Sequence, residues 1–379
     1  MVERFFNMSK TLRKRTVCLN LIKSISKARG YFTINDILNE TNVPRSTIQD
    51  WINRLVNEGY INRVEEPAGS RAAKYNYVLK SEYPATACKN IFTCLDREHN
   101  LVEIYHFCGS EGCTTYCAYA HKEMGGVILE TRNEGFFLRE LAKIGRAPLE
   151  GLGSKAGVGI EEIVIEKNMV VQTIKATGGP AYSLTETMGA AMGVKSIVHT
   201  KRGNIIEGKI CTDALEHITV GIDDTDDLDE GATWAISLSL LNNLKDINRI
   251  AHKIVFLNPN IPYKTLGNNA AFIEFAIQES NHERIISDIQ NFLQYKTVSE
   301  QTAIAVMRGL VVPTKLKQFA NKVRAMEVSI AETDNIAKEL KIDLIEITGE
   351  RGKVGALASL AFLREDGACL LNPDAQIKI

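Results

Sequence analysis

No apolar run in this chain approaches the roughly eighteen residues that a membrane-spanning helix requires. The N-terminus, residues 1–15, is basic, but no apolar stretch of the secretory-signal kind follows it. Both absences point to a cytoplasmic protein with no membrane partner. In a reducing compartment the eight cysteines are expected to stay out of disulfides, and any cluster of them is better read as a metal site. A P-loop is missing too. The glycine-rich stretches at Gly151, Gly153, Gly157 and Gly159, and at Gly178-Gly179-Pro180, lack a following Gly-Lys-Ser/Thr, so they read as turns of an α+β domain rather than phosphate cradles. With 379 residues, 45% of them hydrophobic, the chain is long enough for two or three ordinary globular domains.

Net charge is also nearly absent, at −1, but its distribution is uneven. Residues 1–80 carry 14 Lys/Arg against 7 Asp/Glu, leaving the remainder acidic. A basic module on an acidic body suggests a nucleic-acid-facing segment. Within it, residues 11–27 are predicted helical, with Val17, Leu19, Ile22 and Ile25 at helical spacing. Thr33 is placed to cap a short helix ending near Glu40. Thr41–Val43 makes a turn, and Pro44 opens a third helix reaching Asn57. Strands over Tyr60–Val64 and Lys74–Leu79 complete a pattern that resembles a winged helix-turn-helix. Its recognition helix would present Arg45, Ser46, Thr47 and Gln49 to a major groove, with Arg54, Arg71 and Lys74 on phosphates. DNA is the expected partner more than RNA, and a homodimer is a natural form for such a module.

The middle segment, residues 83–216, shows strand-like Val127–Thr131 and Ile163–Ile165 and a helix candidate at Glu134–Lys143. Five cysteines, Cys88, Cys94, Cys108, Cys113 and Cys117, fall within thirty residues of one another. Of these, Cys108, Cys113 and Cys117 are candidate ligands for zinc or an iron–sulfur cluster. Their spacing is not that of a zinc ribbon, and buried small hydrophobes are the competing reading.

The most informative stretch runs from an apolar strand, Ile218–Ile222, into Asp223-Asp224-Thr225-Asp226-Asp227-Leu228-Asp229-Glu230. Six of these last eight residues are carboxylates. They repel one another unless water or a cation screens them. An EF-hand reading fails, because from Asp224 the sixth position is Asp229 and the twelfth is Ala235. Magnesium held by Asp223, Asp224 and Asp226, together with nucleotide phosphates, fits better. Downstream, the predicted elements are a helix at Ala232–Leu244, strands at His252–Leu257 and Ala271–Phe275, and helices near Glu283–Gln294, Pro313–Met326 and Asn335–Leu340.

Three pieces of this region together resemble the kinase domain of the archaeal isoleucine-tRNA agmatinylcytidine synthetases. They are Gly221-Ile222-Asp223-Asp224-Thr225-Asp226, then Leu257-Asn258-Pro259-x-Ile261-Pro262-Tyr263-Lys264-Thr265-x-Gly267-Asn268, then Arg351-Gly352-x-x-Gly355-Ala356-Leu357. A closer likeness is to the methanogenesis marker protein 11 family, through the run into Glu230-Gly231-Ala232-Thr233-Trp234, and through Ile128–Arg132 and Ala156–Glu161. In the synthetases this domain binds ATP and magnesium and phosphorylates a cytidine carbonyl. The resemblance therefore implies an ATP and Mg2+ site here, with Asp223, Asp224, Asp226 and Lys264 catalytic. Thr225, Gly231, Thr233, Asn258, Thr265, Gly267, Asn268, Arg351, Gly352 and Lys353 would bind the nucleotide. Two departures stand out. No counterpart of the synthetases' barrel and zinc ribbon is expected after the kinase-like region, and their threonine pair is replaced by Gly231-Ala232-Thr233-Trp234.

The expected class is α+β, with a winged helix-turn-helix at 1–82, a mixed α/β middle domain at 83–216 and an α+β kinase-like domain at 217–379. The expected function is ATP-dependent phosphotransfer or synthetase-like chemistry. The alternative is a nucleotide-sensing, DNA-binding regulator of methanogen metabolism.

Overall fold

Three helices and a two-stranded wing open the chain: α1 (Lys10–Arg29), α2 (Ile34–Glu40), α3 (Arg45–Asn57), β1 (Ile61–Glu65) and β2 (Lys74–Tyr77). The computed structural model describes residues 10–57, 61–67, 71–77, 87–153, 155–365 and 369–370. The expected strand residues Tyr60, Val78 and Leu79, part of the wing turn and the first nine residues lie outside these. Thr33 caps α2 as expected. Its hydroxyl accepts from the Asp36 N–H at 3.4 Å while Asp36 accepts from the Thr33 N–H at 2.6 Å, a reciprocal capping box. Pro44 precedes α3, its carbonyl accepting from the Ile48 N–H at 3.1 Å. Ile22, Phe32, Ile37, Ile48, Trp51, Ile52, Ile61 and Tyr75 pack into one small core. Val17 is exposed, and Cys18 takes the inward position on α1.

The next elements are β3 (Cys88–Asp96), β4 (Leu101–Cys108), α4 (Glu111–Met124), β5 (Ile128–Glu134), β6 (Phe137–Lys143), β7 (Gly145–Arg146), β8 (Gly157–Glu166), β9 (Met169–Thr177), α5 (Gly179–Tyr182), β10 (Val194–Arg202) and β11 (Ile205–Asp223). After them come α6 (Thr233–Asn243), β12 (Asn248–Phe256), β13 (Asn269–Ile277), α7 (His282–Lys296), β14 (Ala303–Arg308), α8 (Thr314–Ala325), α9 (Ile330–Leu340), β15 (Asp343–Glu346), α10 (Lys353–Ser359) and β16 (Cys369–Leu370). The mixed α+β class expected from the sequence is what forms.

Strand β11, 19 residues long, organises everything after the wing. Its first half lies antiparallel between β9 and β10. Its second half lies antiparallel between β13 and β14. At the midpoint, Ala214 and Leu215 pair in parallel with Thr93 and Cys94 of β3, which joins the antiparallel set β3-β4-β6-β5. The chain therefore crosses residue 216 as one continuous strand. A buried ionic group spans the same point. Arg139 on β6 donates to Glu103 at 3.0 Å and to Glu274 at 2.8 Å, and His217 holds Glu274 at 2.7 Å.

Two sequence expectations need correction. Glu134–Lys143 is not a helix but the end of β5, a tight turn and then β6, a strand buried on both faces and so lacking the alternation that betrays a strand. Gly157 and Gly159 lie not in a loop but in β8, where a Cβ would meet Met124 Sδ and Leu149 Cδ2, each at 2.7 Å. Glycine there lets α4 and the Leu149 side chain press on the sheet.

The C-terminal sheet runs β12-β13-β11-β14-β15 between two helical layers. Period-two alternation sends Ile218, Val220 and Ile222 toward α6 and α7, where Leu240, Leu241, Ile285, Ile289 and Leu293 meet them. The opposite face carries Val255, Phe272, Ala305 and Met307 against α8 and α10. At Gly221 a Cβ would overlap the Ala356 carbonyl, so α10 lies directly on the strand that ends in the acidic stretch.

Candidate functional site

The acidic stretch begins where β11 leaves the sheet. Asp224 adopts φ +56°, a left-handed conformation that aspartate tolerates better than most residues. The Thr302 hydroxyl holds this turn by donating to the Asp224 carbonyl at 2.6 Å, and the Thr297 hydroxyl holds the Thr225 carbonyl at 2.9 Å. The sharp bend aims successive carboxylates differently. Arg351, just before α10, grips Asp224 with Nε at 2.8 Å and Nη2 at 3.3 Å. Among the described residues it is the one basic side chain in an ion pair with Asp223, Asp224 or Asp226. Asp226 accepts from the Thr233 hydroxyl at 2.7 Å and the Thr265 hydroxyl at 3.2 Å. Burial, with Asp224 and Asp226 alongside, pushes the Asp223 carboxyl well above its ordinary range. The hydrogen bond to Asp224 raises Arg351, securing its charge.

The glycines of the last sequence piece fit this geometry. A Cβ on Gly355 would overlap Asp223 Oδ2, and one on Gly352 would come within 2.8 Å of the Asp223 carbonyl. Only glycine allows α10 to start against the carboxylate.

A cavity of about 430 Å³ opens beside Asp223 and Asp224. Lys264, Asn268, Arg351 and Gly355 also line it, facing an apolar wall that includes Leu257, Ile261, Val323 and Met326. Among the described residues Lys264 makes one weak bond, 3.5 Å to the Thr265 carbonyl, which leaves its ammonium available to an anion. A shallower depression of about 300 Å³ is lined by Asp226, Gly231, Thr233, Trp234, Thr265 and Gly267. Thr225 lies behind it, its hydroxyl 3.0 Å from that of Thr233. Asn258 is buried and structural, accepting from the Asn260 N–H at 3.0 Å through its side chain and from Asn268 at 2.7 Å through its carbonyl. Lys353 is not brought to the cavity, because its ammonium turns to Glu346 at 2.7 Å and Asp334 at 3.4 Å. Gln301, Glu350 and the α8–α9 connection line the cavity without any sequence signal. Gly355 was visible within the quoted piece, but not as a spacer for Asp223.

In the winged helix, Arg45, Ser46 and Arg54 lie on the exposed side of α3, with Thr47 and Gln49 half-buried. Arg45 donates to Asn35 at 2.9 Å and Gln49 to Asn53 at 3.1 Å. Arg54 pairs with Asp50 at 3.1 Å. Arg71 is exposed, and Lys74 pairs with Glu65 at 2.5 Å.

Residues 219–282 match the family model described as the TiaS TCKD domain, and residues 28–81 match that of the sugar-specific transcriptional regulator TrmB. The chain is 31% identical over 281 residues to Uncharacterized protein MJ0921 of Methanocaldococcus jannaschii, covering 72% of this chain and 92% of that protein. It is 32% identical over 149 residues to the tRNA 2-agmatinylcytidine synthetase TiaS of Pyrococcus horikoshii, covering 38% of this chain and 35% of the synthetase. The TiaS of Thermococcus sibiricus is 33% identical over 150 residues, covering 37% and 34%. The chain thus spans about a third of the length of these two synthetases. A crystal structure of TiaS in complex with tRNA and ATP overlaps 40% of this chain and 37% of that one, at 25% identity and a TM-score of 0.35.

Proposed function

The chain belongs to the family of Uncharacterized protein MJ0921 of Methanocaldococcus jannaschii, and from that premise we propose an ATP- and magnesium-dependent phosphotransferase or synthetase-like enzyme. The observation that carries this reading is one cavity lined by Asp223, Asp224, Lys264 and Arg351 on one side and by apolar side chains on the other. A purine base takes the apolar wall, and the phosphates take the charged side.

Asp223, Asp224 and Asp226 supply hard oxygen donors of the kind magnesium prefers, and among the described residues one basic side chain, Arg351, is ion-paired with them. The ion, when bound, neutralises charge on the transferring phosphoryl group. Lys264 stabilises the phosphates electrostatically. Arg351 fixes the direction of Asp224 through its two-pronged grip. Thr265, Gly231, Gly267 and Asn268 contribute donors along the phosphate chain. Thr225, Thr233, Asn258 and Gly352 hold the loops in place, and Lys353 joins only by leaving Glu346.

Kinship with the tRNA 2-agmatinylcytidine synthetases supports a nucleic acid as the acceptor. The module at 1–82 then delivers nucleic acid, DNA in preference to RNA, through Arg45, Ser46, Thr47, Gln49, Arg54, Arg71 and Lys74. In this reading 83–216 is a middle domain and 217–379 the catalytic one. A cytoplasmic homodimer suits two-fold duplex recognition. The likeness of Ile128–Arg132 and Ala156–Glu161 supports placing the chain among the methanogenesis marker 11 proteins. The match of residues 28–81 to the TrmB regulators favours a second reading, in which ATP is sensed rather than consumed. Turnover separates the two. Wild-type protein that hydrolyses or transfers phosphate from ATP, and loses this on Asp224→Asn, supports the enzyme. Binding without turnover that alters duplex affinity supports the regulator.

A further inference from the structure

The middle domain gathers four thiols in one place. Cys88 at the start of β3 stands directly opposite Cys108 at the end of β4. After Cys108 the chain turns through Gly109 into α4, whose cap Ser110 accepts from the Cys113 N–H at 3.2 Å. Cys113 and Cys117 follow one helical turn apart, on one side of α4. All four are free. The buried Glu140 on β6 is held by His121 at 2.6 Å and His106 at 3.1 Å. His121 continues the Cys113–Cys117 stripe by one more turn, and its buried Nε2 finds no hydrogen-bond partner among the described residues.

We propose that Cys88, Cys108, Cys113 and Cys117 bind a thiolate-ligated soft-metal centre. The sequence pointed to Cys108, Cys113 and Cys117; strand pairing adds Cys88 as the fourth. Cys94 is excluded, being fully buried further along β3. Electrostatics agree with the convergence. Burial pushes the Cys108 thiol up to about 12, and Cys88, Cys113 and Glu140 add to that rise. Burial likewise raises Cys117, with Glu140, Cys88, Cys108 and Cys113 contributing. Metal binding displaces protons from its cysteine ligands, so thiolates form as the centre assembles. The half-burial of Cys113 and Cys117 gives an ion access. Spread distinguishes the metals. A tetrahedral zinc with ~2.3 Å bonds needs sulfurs about 3.8 Å apart. Among the described residues no three of these thiols lie within 4.8 Å of one another. The wider set suits an iron–sulfur cluster.

The test uses the full chain, produced with iron and purified without oxygen. Iron and acid-labile sulfide in cluster stoichiometry, with visible absorption, are expected. Both should drop to background in Cys113→Ser and Cys117→Ser and persist in Cys211→Ser, whose thiol lies on β11 outside the group. Circular dichroism establishes that each variant is folded. One zinc per chain, lost in the same variants, would keep the site and overturn the cluster. Metal-free wild type, or metal retained in both helix variants, would overturn the site itself. None of these outcomes depends on ATP binding.

Discussion

Adding a single methyl group at Gly355 tests whether Asp223 belongs to a nucleotide site. The new Cβ would lie 2.7 Å from Asp223 Cγ and 2.8 Å from Leu257 Cδ1, and would overlap Asp223 Oδ2. Ordinary carbon contact is about 3.6 Å, so the carboxylate and the α10 start must separate by roughly 0.8 Å or more. The fold tolerates this. Overpacking costs about 1–3 kcal/mol, and Ala for Gly within a helix returns up to ~1 kcal/mol. The site does not tolerate it, because a displaced metal-facing carboxylate should weaken Mg-ATP binding roughly 10–100-fold. Calorimetric titration of Gly355→Ala, beside a thermal melt, reads both effects. Gly179→Ala, where a Cβ meets nothing within 4 Å, is the matched control. A folded Gly355→Ala protein with wild-type affinity would remove Asp223 from the site and refute the reasoning.

Other consequences can be checked with the same protein. Thr233→Val deletes the hydroxyl that bonds Asp226 at 2.7 Å and should cost about 1–3 kcal/mol in denaturant unfolding; no change would mean the acidic loop is not held this way. Glu274, beside Arg139 and His217, has its carboxyl held down to about 2 by the Arg139 charge against the cost of burial. A depressed folded value means the stabilisation is fully present above the unfolded value near 4.5 and is lost as pH falls toward 2. Unfolding free energy should therefore decline across that window in wild type, and decline less in Glu274→Gln. Arg45→Ala should weaken duplex DNA binding and lower the salt-dependence slope by about 1 if this residue meets a phosphate; an unchanged slope together with altered sequence preference would place it on a base instead.

What the sequence revealed depended on whether the cause was local. Thr33, Asp36 and Pro44 act within one turn of their own positions, and the winged helix followed from them. The run Ile218, Val220, Ile222 announced a buried strand leading into carboxylates. By contrast, β6 is buried on both faces, its own Arg139 and Glu140 included, by partners elsewhere in the chain such as Glu103 and Glu274, so its composition mimics a helix. α4 escaped notice because cysteine, threonine and histidine occupy much of its inward side where aliphatics would signal a helix. The fourth thiol, Cys88, joins Cys108 only through strand register, which spacing along the chain does not carry. The direction of Lys353 is fixed by how α10 packs at Gly355 and Gly221, a contact between segments more than a hundred residues apart.

The central claim is a magnesium–nucleotide site at the end of β11. Calorimetric titration of ATP into the full chain, with and without magnesium, tests it most directly. The account predicts saturable binding at one site per chain that requires magnesium and falls at least tenfold in Asp224→Asn with the fold intact. Nucleotide binding that ignores both magnesium and Asp224→Asn, or no binding at all, would contradict it.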